Sequence, residues 1–381
     1  MVLLKRKPGV LLILLLLGPM LHSQQFFWHP VVQDDTVIRD AGDLTFKMAS
    51  SFYFINNEFF GDVVEGYTLP TYQLEPTLVY YASDMFRIRG GVHLQQFFGK
   101  NENMKVRPVI AASILFYKNL SLTMGAINGH LNHRLSDAMF HYERSINYPI
   151  ENGFQFKYSD DNWWADAWMS WEQYIEIGDS IPEIFTVGVS ARRTLIKSDA
   201  GFKMDLPFQT VVMHRGGQIS DFEEDGTSFL NLSSGLEIEK RQKAYINKVG
   251  WFGYFLYYND LKEANALGFN VGHAIYTGVV LETLQNSLML GYWNADDFLS
   301  SRGNPMFNSV STFIENAWFG NRSMITGKLM WHKKIVPDVN FSVLLDGFYD
   351  INISQFDYAY GFRIGFTPEF FITNILSFGA Y

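Results

Sequence analysis

Apolar and polar residues alternate along segments of about ten residues that fill most of the chain. In the clearest segment one face is apolar and aromatic throughout: Phe356, Tyr358, Tyr360, Phe362, Ile364 and Phe366. The other face is small or charged and includes Asp357 and Arg363. Because the outward face of a soluble sandwich strand is polar, we expect the apolar face here to meet lipid and the polar face to line a lumen. The pattern predicts an all-β fold, a transmembrane antiparallel β-barrel.

About sixteen segments have this pattern, an even number, as single-chain bacterial barrels require when both termini are periplasmic. They span 43–56, 67–82, 85–98, 105–117, 119–127, 153–159, 162–174, 183–195, 200–214, 227–240, 243–258, 267–284, 287–294, 321–332, 338–350 and 354–366. Every second connection is tight, which is typical of periplasmic turns. The other connections are mostly longer, notably 128–152, 215–226 and 295–320, and are expected to face outside.

The N-terminus has the features of a secretion signal. Residues 5–7 are basic, 10–17 are apolar, and 21–23 can precede cleavage. An uncleaved anchor is the alternative, but Gly18 and Pro19 end the apolar run short of the ~20 residues of a spanning helix. We therefore expect a cleaved signal at 1–23, a periplasmic leader at 24–42 and an outer-membrane barrel at 43–381.

Composition supports this interpretation and excludes other classes. The mean hydropathy of −0.03 is too polar for a helical membrane protein, whereas an aromatic fraction of 17% suits the aromatic girdles of a barrel. The absence of cysteine excludes disulfides and lipid attachment at the processing site. Loss of the signal's three cations lowers the net charge from −9 to −12, which argues against nucleic acid binding and gives weak support for a cation preference.

This architecture resembles the general porins, sixteen-stranded barrels of Gram-negative outer membranes. In that family the third external loop, after strand five, folds inward and narrows the channel. The connection 128–152 occupies that place here, so the resemblance implies an inward-folded or capping loop with constriction charges at Arg134, Asp137, Glu143 and Arg144. The segments 151–156, 163–172, 206–208 and 214–217 also resemble uncharacterised barrel families of the Bacteroidota, which bring no known activity.

Strand parity predicts which side chains line the lumen. The predicted pore-lining residues are Arg87, Arg89, Lys157, Asp166, Trp168, Glu172, Arg192, Lys328, Asp346 and Arg363. Lys or Arg on the lipid face would cost ~2–4 kcal/mol near the midplane, so their position on the polar face supports the register. Carboxylates alternate with aromatic rings along segment 162–174, a pattern that suits a surface along which sugars move. Alternatively, the carboxylates pair with neighbouring cations in the lumen and only brace the wall.

The connection 128–152 contains several histidines whose spacing raises the question of a metal-binding site. On a helix His130, His133, Asp137 and His141 would lie near one side, and zinc accepts such ligands. The same segment can instead form a short amphipathic helix that buries apolar residues against the wall. We favour that alternative and expect no metal and no cofactor.

An enzyme is the rival class. His214 and the segment 220–225 supply suitable residue types at the outer end of a strand, but no nucleophile elbow accompanies them. We therefore expect no catalysis. The sequence favours a porin-like outer-membrane channel for passive passage of small hydrophilic solutes. The alternatives are a transport barrel for sugars or apolar substrates, a closed-lumen surface binding or scaffold barrel, and an outer-membrane hydrolase.

The expected partners are membrane lipid, lipopolysaccharide and the barrel assembly machinery, without nucleic acid, and a homo-oligomer is left open. The C-terminal segment does not fit the simplest barrel, in which the last residue ends the last strand. Residues 368–381 follow the predicted final strand. They can form an added strand, form a plug, or show that the boundary at 366 is misplaced.

Overall fold

A computed structural model describes residues 39–217, 219, 221–222, 226–262 and 268–376. The predicted signal and the leader up to residue 38 lie outside these residues. The described chain forms a closed 16-strand antiparallel barrel, as the alternation predicts. Within the described ranges no helix is long and apolar enough to cross a membrane.

Each predicted strand is present, and apart from the C-terminal end of the last strand the largest shift of a strand end is at the start of β11. In chain order the strands are β1 Asp43–Glu58, β2 Tyr67–Ser83, β3 Phe86–Phe97, β4 Lys105–Tyr117, β5 Leu120–Ala126, β6 Asn152–Ser159, β7 Trp163–Gln173, β8 Glu183–Lys197, β9 Phe202–Gly216, β10 Thr227–Arg241, β11 Lys248–Asp260, β12 Val271–Glu282, β13 Asn286–Asp296, β14 Asn321–Val336, β15 Val339–Asp350, β16 Gln355–Phe366 and β17 Glu369–Asn374. One α-helical turn, α1, spans Arg144–Asn147, and 3-10 turns span His130–His133 and Pro305–Phe307.

The C-terminal segment completes the last barrel strand. β1 pairs with β16 from Ser50 to Glu58 and with β17 from Asp43 to Lys47. β16 and β17 are thus two parts of one strand, broken at Pro368, because proline has no N–H to donate to a β-ladder. The predicted strand end at 366 is therefore too early, and the barrel still has sixteen positions.

The two faces of the wall are as the sequence predicts. On β16 the side chains of Phe356 and Tyr360 are exposed on the outside, whereas Asp357, Ala359 and Arg363 are buried on the inside. A closed barrel with this apolar exterior belongs in a lipid bilayer, and single-chain bacterial barrels of this kind lie in outer membranes. The predicted outer-membrane location is confirmed.

Opposite faces of β16 predict opposite effects of substitution. Tyr360→Arg places a cation against lipid at a cost of ~2–4 kcal/mol near the midplane, so we expect it to impair barrel assembly. Ala359→Ser changes the adjacent inward position and is expected to assemble normally. Heat-modifiable gel mobility of the two variants measures assembly, and equal behaviour would contradict the assigned faces.

Two of the long connections that are predicted to be external fold into the barrel. We call residues 127–151 loop A and residues 297–320 loop B. Phe140 of loop A and Phe298 and Phe307 of loop B are almost fully buried and share one hydrophobic core with inward residues of the wall. This core explains how a barrel too wide to be filled by its own side chains still has a packed interior.

Every barrel strand contributes at least one inward side chain that is buried. Examples, one from each strand position, are Ile55, Thr71, Gln95, Val109, Thr123, Gln155, Asp166, Ser190, Gln209, Asn231, Leu256, Ala274, Trp293, Lys328, Asp346 and Ala359. Side chains that lined a wide aqueous channel would be in contact with water instead. Much of the lumen is therefore filled by protein in this conformation.

Candidate functional site in the barrel lumen

Loop A enters the lumen through a tight turn after β5. A Cβ at Gly129 would lie 1.4 Å from Oε2 of Glu151, so a side chain at position 129 would displace this carboxylate. The same carboxylate oxygen accepts a hydrogen bond of 2.8 Å from the backbone N–H of His130. The turn therefore closes the base of loop A and directs the residues after it into the barrel.

A histidine cluster joins loop A to β7. Nδ1 of His133 lies 3.0 Å from Oδ2 of Asp166, and Nε2 lies 3.0 Å from Oε2 of Glu151. The ring also stacks on Trp168, with centroids 3.6 Å apart. Gln155 on β6 donates to both oxygens of Asp166. Both ring nitrogens of a fully buried histidine thus face carboxylates, an arrangement that suits the protonated ring.

A lysine cluster joins the middle of loop A to the opposite wall. Nζ of Lys328 on β14 lies 3.1 Å from Asp137 of loop A and 3.0 Å from Asp346 on β15. Asn304 of loop B donates to the same oxygen of Asp137 at 3.1 Å. One buried ammonium therefore serves two carboxylates, and loops A and B meet at this point.

An arginine cluster joins both loops to β7. Oε1 of Glu172 lies 3.0 Å from Arg144 of loop A and 3.0 Å from Arg302 of loop B. Thr186 on β8 donates to the same oxygen at 2.7 Å. Because one carboxylate binds cations from both loops, displacement of either loop would break part of this cluster.

A fourth contact joins loop A to β1 and β2. The carboxylate of Glu143 accepts a hydrogen bond of 2.9 Å from Nδ2 of Asn57 and another from the hydroxyl of Tyr67. Ser136, elsewhere in the loop, donates its backbone N–H to Gln209 on β9. Loop A thus contacts widely separated strands of the wall and crosses the lumen.

Three ionisable side chains of loop A have shifted pKa values. Burial would lower the pKa of His133, but the charges of Asp166 and Glu151 outweigh burial and raise it. Burial would raise the pKa of Glu151, but the neighbouring His130 and His133 bring it well below its usual range. The pKa of Asp137 is also lowered, because Lys328 and His141 outweigh the effect of burial. The shifted pKa values therefore favour the charged forms of these three side chains, which form the ion pairs described above.

The remaining predicted pore-lining cations lie on the inward face. Arg89 donates to Asn128 and to the backbone of Ala126, Arg192 pairs with Glu237 at 2.9 Å, and Arg363 donates to Ser51. Lys157 approaches the carbonyl of Asn128 at 3.4 Å, and Arg87 is partly buried on the same face of β3 as Arg89. The structure thus distributes these cations around the wall.

Of the predicted constriction charges, Asp137, Glu143 and Arg144 hold loop A to the wall through the contacts above. Arg134 lies 4.3 Å above the ring of Trp164 in a cation–π contact. For the acids of β7, the bracing alternative agrees with the observed contacts, because Asp166 and Glu172 both bind loop residues.

The histidine pattern does not form the helix that a metal site would need. A 3-10 turn ends at His133, and Arg134 has a left-handed φ of 56°. His133 faces carboxylates, whereas Asp137 faces Lys328. In the described part of the chain, no group of three or more His, Asp or Glu side chains is arranged to hold a metal ion.

The sequence missed the contribution of loop B. Arg302 and Asn304 complete the arginine and lysine clusters, yet neither is in a strand with a readable parity. A signal was present in the four apolar residues Phe298, Leu299, Met306 and Phe307, which a freely solvated external loop would not need.

A second polar arrangement lies outside the lumen, at the external end of β9 and β10. Nδ1 of His214 is 2.8 Å from Oγ of Ser228. The histidine was a candidate in the sequence, but Ser228 was not. The two residues are directly opposite each other in the pairing of β9 with β10, which places their side chains next to each other.

Comparison with known families gives the classification. The profile of the family described as Lipid A 3'-O-deacylase-type matches residues 34–375, which include the whole described barrel. The chain belongs to this family. No curated protein matches the chain significantly.

Solved structures share the fold of this family member. OprD, an outer membrane protein from Pseudomonas aeruginosa, is 9% identical, with a TM-score of 0.52 over 87% of this chain and 97% of that chain. OccAB1 from Acinetobacter baumannii is 5% identical, with a TM-score of 0.51 over 89% and 100% of the two chains. OpdK from Pseudomonas aeruginosa is 10% identical, with a TM-score of 0.50 over 87% and 100%. The chain therefore shares the barrel fold of these outer-membrane proteins.

Proposed function

We propose that the chain is an outer-membrane channel for small hydrophilic solutes, closed in this conformation by loops A and B. The observation that carries the proposal is that side-chain ion pairs attach both loops to the wall of the barrel. Sixteen strands enclose a space wide enough for an aqueous channel once the loops move. A lumen with charges of both signs suits polar solutes.

Breaking the ion pairs costs little net free energy when both charged partners return to water. Desolvation offsets much of the attraction in a buried pair, so such pairs specify a position more than they stabilise it. When water enters, each separated charge regains hydration. The closed state therefore rests partly on contacts whose strength depends on protonation.

A pH dependence of conductance tests the channel. Since the pKa of His133 is raised, its contribution is complete below its ordinary value of 6.5 and is lost as pH rises through the raised value. The lowered pKa values of Glu151 and Asp137 act in the opposite sense, so their contribution is lost as pH falls through them. Loop A is expected to be held most firmly between pH 4.5 and 6.5, the ordinary values of Glu151 and His133.

The measurement is open probability of the purified protein in a planar bilayer, followed from about pH 6 to about pH 9. We expect rare openings near pH 6 that become frequent at alkaline pH. His133→Gln should open at all these values, whereas His93→Gln, a change at a wall histidine paired with Glu75, should keep the pH dependence. A protein that stays silent throughout, including the His133 variant, would contradict the channel proposal.

A second candidate function is hydrolysis of an acyl ester of an outer-leaflet lipid. The family description supports it, and the Ser228–His214 pair on the outside of the barrel is a specific observation in its favour. The expectation that the chain is not an enzyme stays a prediction, as do the expected partners and oligomeric state. Release of fatty acid from lipid vesicles tests the second candidate independently of conductance.

A further inference from the structure

Basic side chains are scarce on the outward face of the barrel wall, and they lie near one end of it. In the strands that the structure describes, this face has three of them, each exposed: Arg193 on β8, Lys240 on β10 and Lys333 on β14. Each lies within four residues of a strand end that leads into a short connection. Short connections are typical of the periplasmic side, so these cations lie at the periplasmic edge of the membrane.

The cation on β8 lies against a tryptophan ring. The guanidinium of Arg193 is 5.2 Å from the centroid of the Trp163 ring, and the two residues are register partners on β8 and β7. Leu206, the partner of Arg193 on β9, is exposed on the same face. Within the described part of the chain no carboxylate pairs with Arg193 and no acceptor faces the indole N–H of Trp163. A free charge and a free donor thus lie beside an apolar wall.

Two other sites repeat this arrangement. On β10, Lys240 is two residues closer to the turn than the register partner of Trp251. On β14, Lys333 is two residues closer to the turn than Trp331, whose ring lies 5.7 Å from that of Phe341, the register partner of Lys333. Neither lysine pairs with a carboxylate of the described residues. We call the three combinations the interface pairs: Arg193 with Trp163, Lys240 with Trp251 and Lys333 with Trp331.

The external end of the wall has acids where the periplasmic end has cations. There, Nε1 of Trp171 donates a hydrogen bond of 3.0 Å to Glu183. Glu58 ends β1 and Asp296 ends β13 at outward positions of the same end. The two interfaces of the barrel therefore differ in charge, which suits a membrane whose two leaflets contain different lipids.

The order of groups in an interface pair matches the order of groups in a phospholipid. Tryptophan is enriched at membrane interfaces, where its ring lies level with the ester groups of the lipid. The cation is at that level or closer to the periplasm, and a long basic side chain directs its charge towards the phosphates. A cation attracts a phosphate most when the headgroup has no ammonium group of its own, so the interface pairs suit anionic lipids better than phosphatidylethanolamine.

We propose that the three interface pairs bind anionic phospholipids of the periplasmic leaflet. In each site the guanidinium or ammonium donates to the phosphate, and the indole N–H donates to a phosphate or ester oxygen. The acyl chains pack on neighbouring apolar side chains such as Leu206. Three bound lipids would fix the depth of the barrel in the membrane, whether or not the lumen conducts.

Native mass spectrometry of the purified protein tests these sites. The protein in detergent receives an equimolar mixture of phosphatidylglycerol and phosphatidylethanolamine. We expect preferential retention of phosphatidylglycerol, and a loss of affinity of about fivefold at the altered site in Arg193→Gln, Lys240→Gln or Lys333→Gln. The triple variant should lose the preference entirely. Trp163→Phe keeps a ring beneath Arg193 but removes the N–H donor, and it should also weaken retention.

A matched control removes the same charge elsewhere. Lys100→Gln, Lys243→Gln and Lys262→Gln together alter three exposed positions in connections and should leave the lipid preference unchanged. Heat-modifiable gel mobility shows that each variant is assembled. As a second measurement, phosphatidylglycerol should raise the unfolding temperature of the unaltered protein and of the control, but not of the triple variant at the interface pairs.

The outcomes separate the sites from a general charge effect. Equal retention of the two phospholipids by the unaltered protein would overturn the preference for anionic lipid. Equal losses in the triple variant and the control would overturn the assignment to the interface pairs. A third arm contains lipopolysaccharide, and if its binding rather than that of phosphatidylglycerol falls in the triple variant, the pairs face the outer leaflet and the proposal is wrong.

Discussion

Deletion of residues 131–142 from loop A is expected to increase single-channel conductance several-fold. This segment contains His133 and Asp137 and therefore carries two of the attachments between loop A and the wall. The deletion also removes Phe140 from the hydrophobic core that loops A and B share with the wall. Because the narrowest part of a pore dominates its resistance, removal of protein from the lumen has a larger effect than any change at the rim.

Current recordings in a planar bilayer measure this effect, with reversal potentials in a salt gradient as a second measurement. The double variant Asp137→Asn and Glu143→Gln keeps the loop at full length and should lower the preference for cations, since carboxylates favour cation passage. A closed-lumen scaffold would remain silent after the deletion. A loop that lay outside the conducting path would leave the conductance unchanged, and either result would contradict our interpretation of loop A.

The wall of the barrel could be predicted from sequence because its signal is local. Side chains in a strand alternate between the two faces, so Asp357 and Arg363 could be assigned to the lumen from their neighbours alone. The end of the last strand was less visible, since Pro368 interrupts the alternation and the ladder together. Only pairing with β1 shows that the strand continues to Asn374.

The interior could be predicted only in part because its contacts join distant residues. The resemblance to the general porins predicted that loop A lies in the lumen. No local pattern, however, pairs Asp137 with Lys328, because the two residues are 191 positions apart. The helical spacing of the histidines was misleading, since the left-handed residue Arg134 ends the 3-10 turn. The Ser228–His214 pair likewise depends on the register between two strands, which hydrophobic alternation does not specify to the residue.

Lys328→Met is expected to destabilise the closed barrel by about 3–5 kcal/mol, because it leaves the carboxylates of Asp137 and Asp346 buried without their shared cation. Methionine has a similar length and keeps most of the packing, so the lost charge is the main change. We expect loop A to leave the lumen, with more frequent channel openings and a lower unfolding temperature on heat-modifiable gels. Lys334→Met, at an exposed position of the same strand, should change neither property.

A compensating variant distinguishes lost charge from lost packing. If Lys328→Met is combined with Asp137→Asn and Asp346→Asn, no uncompensated charge remains, and Asn304 still faces an oxygen acceptor at position 137. Replacement of a buried ionic group by neutral residues of similar volume is often neutral or stabilising, so we expect most of the stability and the closed state to return. A triple variant as open and as unstable as Lys328→Met would show instead that the lysine fixes loop A through its shape. In that case the ion pairs of the lumen would not be what holds the channel closed.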